Sequence, residues 1–427
     1  MEQLRYKDFS ASLHDSLFAQ RIPINGTIEV TRRCPLTCLH CYNNLPLQDP
    51  SARSTELTYE EHCRIVDGIV KAGCLWLLYT GGEIFARKDF LDIYTYAKRQ
   101  GLLITLFTNG TLITQKIADH LSRYRPFSIE ITLYGRTKQT YERLTGVPGS
   151  YERCLQGINL LMERKLPLKL KTVAVTVNKH EIWEMKRFAE KELGLEFKFD
   201  AMMSPRIDCS QSPLAVRLSA EEAVLLDLQD PNRIAEWKQF GAQFNGPVHT
   251  SEHDGEVYHC GGGLSSFAID PQGKMSICVL SHVDTYDLRN GSFEDGWEHF
   301  LLNARRKKTT ILTKCTGCHI KAICGMCPAN GELESGHAEK PVDFLCRAAH
   351  LRAHLMGFAI PQHGECEYCE GGHLHADLMR SVESLLKGDL QNVVPGVPSG
   401  LLPILPADLT SGGGCSSGGC RSCSSAG

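Results

Sequence analysis

The sequence predicts an α/β chain: a parallel sheet with helices outside, open or curled into a partial barrel, then a small cysteine-rich domain and an unstructured tail. Three observations predict it. Between residues 26 and 201 strand-like and helix-like segments alternate six times, the pattern of successive β/α units. From Val257 to Phe358 short strands, glycine turns and cysteines take over. From Asp389 to Gly427 the chain is rich in Pro, Gly and Ser and poor in charge, a composition that cannot bury a core.

Taken in order, Gly26–Thr31 reads as a strand and Thr58–Lys71 as a helix opened by a Thr58/Glu61 capping box. Leu75–Thr80 is a buried strand, Lys88–Arg99 a helix, Leu102–Thr108 a strand and Thr114–Tyr124 a helix. Phe127–Leu133, Leu168–Val177 and Glu196–Met202 are strands, with helices at Ser150–Arg164 and Glu181–Leu193. The expected divisions are residues 1–23, a barrel at 24–202, a bridge at 203–256 with a helix near Ser219–Gln229, and the cysteine-rich domain at 257–358. A His/Cys-rich and then helical extension fills 359–388, and the tail runs from 389 to 427. In a parallel α/β sheet the strand C-termini carry the chemistry; here they present Cys34, Gly81–Glu83, Asn109 and Thr132.

Composition narrows the function. A net charge of −3 over 427 residues offers no basic field for nucleic acid or an anionic membrane. No apolar run approaches the ~18 residues of a membrane span, and the N-terminus lacks a signal-peptide stretch. The expectation is a soluble cytoplasmic protein without nucleic-acid or membrane partners. Cysteine is the anomaly: there are 19, and in a reducing compartment clustered cysteines read as metal ligands rather than disulfides. Cys63, Cys74 and Cys154 stand alone on or beside helical patterns and read as small buried hydrophobes.

Cys34-x3-Cys38-x2-Cys41 directly follows the first strand. Three thiolates on one loop can hold three irons of a [4Fe–4S] cube and leave the fourth open. A structural zinc site needs a fourth ligand, and His40 is the nearby candidate. The second strand ends in Thr80-Gly81-Gly82-Glu83, whose glycines allow close backbone approach to a ligand. Thr108-Asn109-Gly110 and Thr132-Leu133-Tyr134-Gly135 end later strands and bring polar groups to the same mouth.

This ordered set resembles the radical S-adenosylmethionine superfamily. The resemblance implies a partial (β/α)6 TIM-like barrel in which Cys34, Cys38 and Cys41 hold a [4Fe–4S] cluster that binds S-adenosylmethionine at its open iron. It further implies that Gly81, Gly82 and Glu83 line the methionine amine, that Thr132 meets the ribose, and that Arg143 approaches the carboxylate, with Asn109 among the cofactor contacts. Ile84 stands where the family commonly has proline. One electron from the cluster would cleave the cofactor to methionine and a 5′-deoxyadenosyl radical, which abstracts a hydrogen atom. A flavodoxin or ferredoxin is the implied electron donor.

Cys260, Cys278, Cys315-x2-Cys318-x5-Cys324-x2-Cys327 and Cys346 follow in an order that core packing does not produce. The order resembles the SPASM extension of radical enzymes, which holds two auxiliary [4Fe–4S] clusters. Carried over, Cys315, Cys318, Cys324 and Cys346 ligate one cluster, and Cys260, Cys278 and Cys327 the other. The x2 spacing before Cys327 departs from the more usual three residues. The latter set lacks a fourth thiolate, and Ser266 is a weak substitute. Beyond it, His363, Cys366, Cys369, His373 and His375 lie within thirteen residues and offer a small zinc or cluster site, or an incidental patch. Cys415, Cys420 and Cys423 in the tail could visit an open cluster or be modified themselves.

SPASM relatives mostly modify ribosomally made peptides, so the resemblance implies a peptide-maturing oxidoreductase, with a separate leader-binding protein because only 33 residues precede Cys34. Sulfatase-maturase-like oxidation is the nearer alternative, weakened by Val279 where those relatives carry an acid. Modification of a small molecule such as a porphyrin side chain is another. A non-catalytic iron–sulfur carrier is a third, disfavoured because a carrier needs no Gly81-Gly82-Glu83 pocket.

Overall fold

The computed structural model describes residues 6–18, 20–246 and 255–388. The tail at 389–427, with Cys415, Cys420 and Cys423, lies outside the described residues. The chain divides into two compact units that are discontinuous in sequence. Among the described residues, one comprises those up to Val216 together with Cys260–Lys307, and the other those from Arg217 to His259 together with 308–388. The cysteine-rich segment at 257–358 is thereby shared between the two.

The first unit is the partial (β/α)6 barrel. Its six repeats supply parallel strands β1 (Asn25–Glu29), β2 (Trp76–Thr80), β3 (Leu103–Thr108), β4 (Ser128–Thr132), β5 (Leu168–Val173) and β6 (Phe197–Asp200), paired in sequence order. Side chains alternate along each strand. Ile28, Leu77, Tyr79, Ile104, Leu106, Ile129, Ile131 and Leu170 are buried. The apolar helix face of Tyr59–Lys71 (α1) buries Ile65, Val66 and Ile69, and that of Phe90–Arg99 (α2) buries Phe90, Ile93, Tyr94 and Ala97. The Thr58/Glu61 capping box forms as the sequence expects. Cys74 and Cys154 are buried as small hydrophobes, whereas Cys63 is only half-buried. β5 ends four residues earlier than its apolar run because the Asn178 side chain bonds Val175 N, Val173 O and Tyr134 O, closing a turn.

The sheet does not stop at β1. Ser266–Ile269 (β7) pairs with it in parallel, Asn25 opposite Ser266 and Ile28 opposite Ile269. Lys274–Ser276 (β8) and Tyr286–Asp287 (β9) continue it antiparallel, giving nine strands. These additions cover the edge that a six-strand half-barrel would expose at its first strand. A Cβ at Gly26 would meet the Phe267 ring at 2.5 Å, so this glycine admits the aromatic cluster of Phe267, Phe293 and Trp297.

The second unit is helical among its described residues: α3 (Ala220–Leu228), α4 (Pro231–Phe244), α5 (Pro328–Ser335), α6 (Asp343–Met356) and α7 (His375–Lys387). Ala220, Val224, Leu225 and Leu228 of α3 pack with Ala348 and Leu351 of α6 and with Leu378, Val382 and Leu385 of α7. A buried ion cluster crosses this core. Asp227 receives Arg352 at 2.8 Å and Arg233 at 2.6 Å, and the Arg352 guanidinium lies 4.4 Å from the Trp237 ring centroid.

Candidate functional site

The three cysteines of the first motif sit on the loop that leaves β1. All are free thiols. Burial raises each of them, and for Cys38 the neighbouring Cys41 and Cys34 add to the effect. A buried thiol of this kind loses its proton only when a cation replaces it. Amide donors already face the sulfur of Cys34: Leu36 N–H at 3.4 Å and Asn109 Nδ2–H at 3.5 Å. Three grouped thiols, one buried and two half-buried, with amide donors at the buried sulfur, fit an iron–sulfur cluster.

The end of β2 holds that loop in place. Gly81 adopts φ +146, and a Cβ there would stand 2.1 Å from the Thr31 carbonyl oxygen. At Gly82 it would stand 2.5 Å from Arg32 O. The space closed by these glycines is used for chain–chain contact: Gly82 N–H donates to Thr31 O at 2.7 Å and Glu83 N–H to Arg33 O at 3.0 Å. Glu83 is fully buried. Its carboxylate accepts Thr108 Oγ1–H at 2.8 Å, Asn109 N–H at 2.8 Å and Phe85 N–H at 3.2 Å, while burial pushes its pKa up to about 7. Glu83 therefore ties the ends of β2 and β3 together, and Asn109 continues the link to Cys34.

The structure thus brings Cys34, Cys38, Cys41, Gly81, Gly82, Glu83 and Asn109 into one neighbourhood. Thr132 is buried at the end of β4, opposite Lys171 in register. Arg143 is exposed near the end of the helix Lys138–Thr145. His40 Nδ1 is buried without a hydrogen bond, and burial pushes the ring down to about 4.

Several supporting residues carry no sequence signal. Glu29 is buried with Tyr42 O–H at 2.8 Å and Asn43 Nδ2–H at 2.6 Å donating to it. Glu56 receives Arg33 through two bonds of 2.8 Å and Thr31 Oγ1–H at 2.5 Å. Arg206, beyond β6, donates to Cys41 O at 3.2 Å and to Asn44 O at 2.9 Å. Lys171 Nζ lies over the Phe107 ring and 3.5 Å from Glu130, and burial pushes its pKa down to about 7. These pairings join segments far apart in sequence, so no local spacing announces them.

The remaining cysteines divide between the units. Cys260 and Cys278 are half-buried in the first, flanking the β7–β8 hairpin. Ser266, the weak substitute ligand, is the first residue of β7 and pairs with Asn25. In the second unit Cys315 raises the pKa of Cys318, and both raise that of Cys324, beyond the effect of burial; Cys324 acts likewise on Cys346 of α6, and Cys366 on Cys315, Cys318 and Cys346. Cys327 stands at the N-cap of α5. A further group in this unit was only half legible. His350, His363, Cys366 and Cys369 are buried with one ligand atom each, all within 4.8 Å of one another, an auxiliary metal-binding motif. His373 is exposed, and His375 turns its Nδ1 to Tyr368 O at 2.9 Å. His350 replaces them from α6, thirteen residues before His363, where helical periodicity gave it no distinction.

Comparison with known proteins agrees with this geometry. Residues 28–189 match the model of the Radical SAM superfamily. The chain is 26% identical over 328 residues to the AdoMet-dependent heme synthase of Methanosarcina barkeri, covering 72% of this chain and 92% of that protein. It is 25% identical to the antilisterial bacteriocin subtilosin biosynthesis protein AlbA of Bacillus subtilis, covering 73% and 68%. It is also 25% identical to the PqqA peptide cyclase of Rhodopseudomonas palustris, covering 71% and 81%. Among solved structures, Streptococcus suis SuiB bound to its precursor peptide SuiA superposes with a TM-score of 0.61 at 18% identity, over 79% of this chain and 80% of that one, a likeness of fold.

Proposed function

From the premise that this chain belongs to the radical SAM superfamily and carries a SPASM-like auxiliary region, we propose that it modifies a ribosomally synthesised peptide. Relatives that align across most of the chain and are named for a bacteriocin and for a peptide cyclase carry the reading. Cys34, Cys38 and Cys41 hold the cluster, with Gly81, Gly82, Glu83, Asn109, Thr132 and Arg143 around S-adenosylmethionine. When bound, the cluster supplies the electron that splits the cofactor and yields a 5′-deoxyadenosyl radical. The chain's own part is positioning and exclusion of water. Glu83 and Asn109 fix the cysteine loop against two strand ends, Glu56 and Arg33 brace it from behind, and Cys34 is buried while Cys38 and Cys41 stay half-buried.

Cys315, Cys318, Cys324 and Cys346 supply one auxiliary [4Fe–4S] cluster, and Cys260 and Cys278 contribute to another. A cluster held by these residues would supply an acceptor for the electron that product formation releases. A flavodoxin or ferredoxin supplies the first electron, and cysteines clustered at metal-ligand spacings suit a reducing cytoplasm. Among the described residues, no helix is long and apolar enough to cross a membrane.

Anaerobic reconstitution followed by iron and 5′-deoxyadenosine measurement tests the chemistry. About twelve irons, from three four-iron clusters, support the full assignment, and about eight would remove one auxiliary cluster. A second reading, oxidation of a porphyrin side chain, is favoured by the alignment that spans 92% of a heme synthase. The two separate by substrate. 5′-Deoxyadenosine formed in step with a mass change in a precursor peptide supports the first, and the same coupling to a carboxylate-bearing iron porphyrin supports the second.

A further inference from the structure

The second unit holds four metal-ligating side chains that the radical chemistry does not use. His350 is 1% exposed, Cys369 3%, Cys366 5% and His363 6%. Burying two thiols and two imidazoles side by side is costly unless they are satisfied, and their spacing shows what satisfies them. His350 Nε2 lies 3.5 Å from Cys366 Sγ and 3.7 Å from Cys369 Sγ, and His363 Nδ1 lies 3.5 Å from Cys369 Sγ. Zn–S bonds of ~2.3 Å and Zn–N bonds of ~2.0 Å at tetrahedral angles give S···N edges of about 3.5 Å. A two-iron cluster would put thiolates and imidazoles on different irons and lengthen those edges.

We propose that His350, His363, Cys366 and Cys369 bind one zinc ion in a closed tetrahedral site, separate from the iron–sulfur ligands Cys315, Cys318, Cys324 and Cys346. The backbone is shaped for it. His350 Nδ1 lies 2.8 Å from the Cys346 carbonyl, which fixes the tautomer that leaves Nε2 free to ligate. The Cys366–Cys369 segment forms a tight knuckle. Gly372 N–H donates to Cys369 O at 2.9 Å, and a Cβ at Gly372 would stand 2.3 Å from Glu367 O. His363 Nδ1 rests 2.9 Å from Pro361 O and exchanges that contact for the metal.

Charge agrees as well: two thiolates neutralise the dication, so a buried zinc on two cysteines and two histidines carries no net charge. Cys346 Sγ reaches Nδ1 of His350 at 3.8 Å and also touches Cys366. The zinc therefore borders the cysteine set directly, and it fastens residues 359–374 to the helix that carries Cys346.

Elemental analysis of the full-length protein, purified anaerobically with its iron clusters reconstituted, tests the site. The expected result is about one zinc per chain, retained in Cys346→Ser and lost in the Cys366→Ser/Cys369→Ser variant while iron is unchanged. No zinc in the wild type, zinc that survives the double substitution, or iron that falls by a whole cluster in its place would each overturn the proposal. Because the double variant can misfold, cobalt exchange into wild type and His363→Cys provides an independent reading. The visible spectrum of tetrahedral cobalt should change from two sulfur ligands to three. A spectrum indifferent to His363→Cys rejects the site.

Discussion

The cysteine loop after β1 and the His/Cys knuckle before α7 both gather thiols, yet they are held in opposite ways. The knuckle supplies four ligand atoms within 4.8 Å of one another and needs little besides its own turn and one helical histidine. The loop supplies three thiols and is surrounded by a polar scaffold of Glu29, Glu56, Arg33, Glu83, Asn109 and Arg206. A closed set of ligands is held in shape by its metal. A set left one ligand short must be held by the protein, because the open position is kept for another molecule. On the proposed assignment, holding that opening would be the task of the buried carboxylates around the loop.

The contrast is broken most severely by removing the loop thiols. Cys34→Ala/Cys38→Ala/Cys41→Ala should abolish 5′-deoxyadenosine formation while metal remains in the second unit. Parallel metal analysis and product assay check this, and loss of all metal would show the two sites to be interdependent. Gly81→Ala comes next. Its Cβ would collide with the Thr31 carbonyl at a φ that only glycine adopts readily, so the loop must move. Cluster loading and cofactor cleavage should fall at least about tenfold, with the knuckle metal unaffected.

Glu56→Gln removes the carboxylate facing Arg33 and leaves a buried guanidinium short of its partner. A loss of about 3–5 kcal/mol in urea unfolding is expected, whereas a loss below about 1 kcal/mol would place the pair among weakly coupled surface bridges. The smallest effect is a slope. Lys171, pushed down to about 7 by burial from an ordinary value of 10.5, binds fewer protons folded than unfolded between those values. Stability should therefore rise from pH 7 toward 10 on this account and be flat below. Lys171→Met should remove that part of the rise, which chemical denaturation at several pH values would show.

Much of the barrel could be read in advance because its signals are local. The strand and helix periods, the Thr58/Glu61 box and the Cys34-x3-Cys38-x2-Cys41 spacing each lie within a single element or loop. What escaped was everything made across elements. Arg206 braces a carbonyl 165 residues earlier, and His350 joins a motif from a helix whose other residues are chosen for packing. Gly81 and Gly82 were legible as a close approach, but the partner proved to be the chain's own backbone at Thr31 and Arg32. The hairpin at residues 266–287 lies in sequence within the cysteine-rich segment, and strand propensity does not say which edge a strand will join.

That hairpin bears on how the protein is made. β1 leaves the ribosome early, and β2 can pair with one side of it soon afterward. Its other side waits for β7, more than two hundred residues later in synthesis. During that interval the nascent barrel presents an open parallel edge, the feature that invites pairing with a neighbouring chain. A chain ended at Val216 would keep this edge permanently. Such a fragment should aggregate even though all six β/α repeats are present, and chaperone demand during translation should peak before residue 269 emerges.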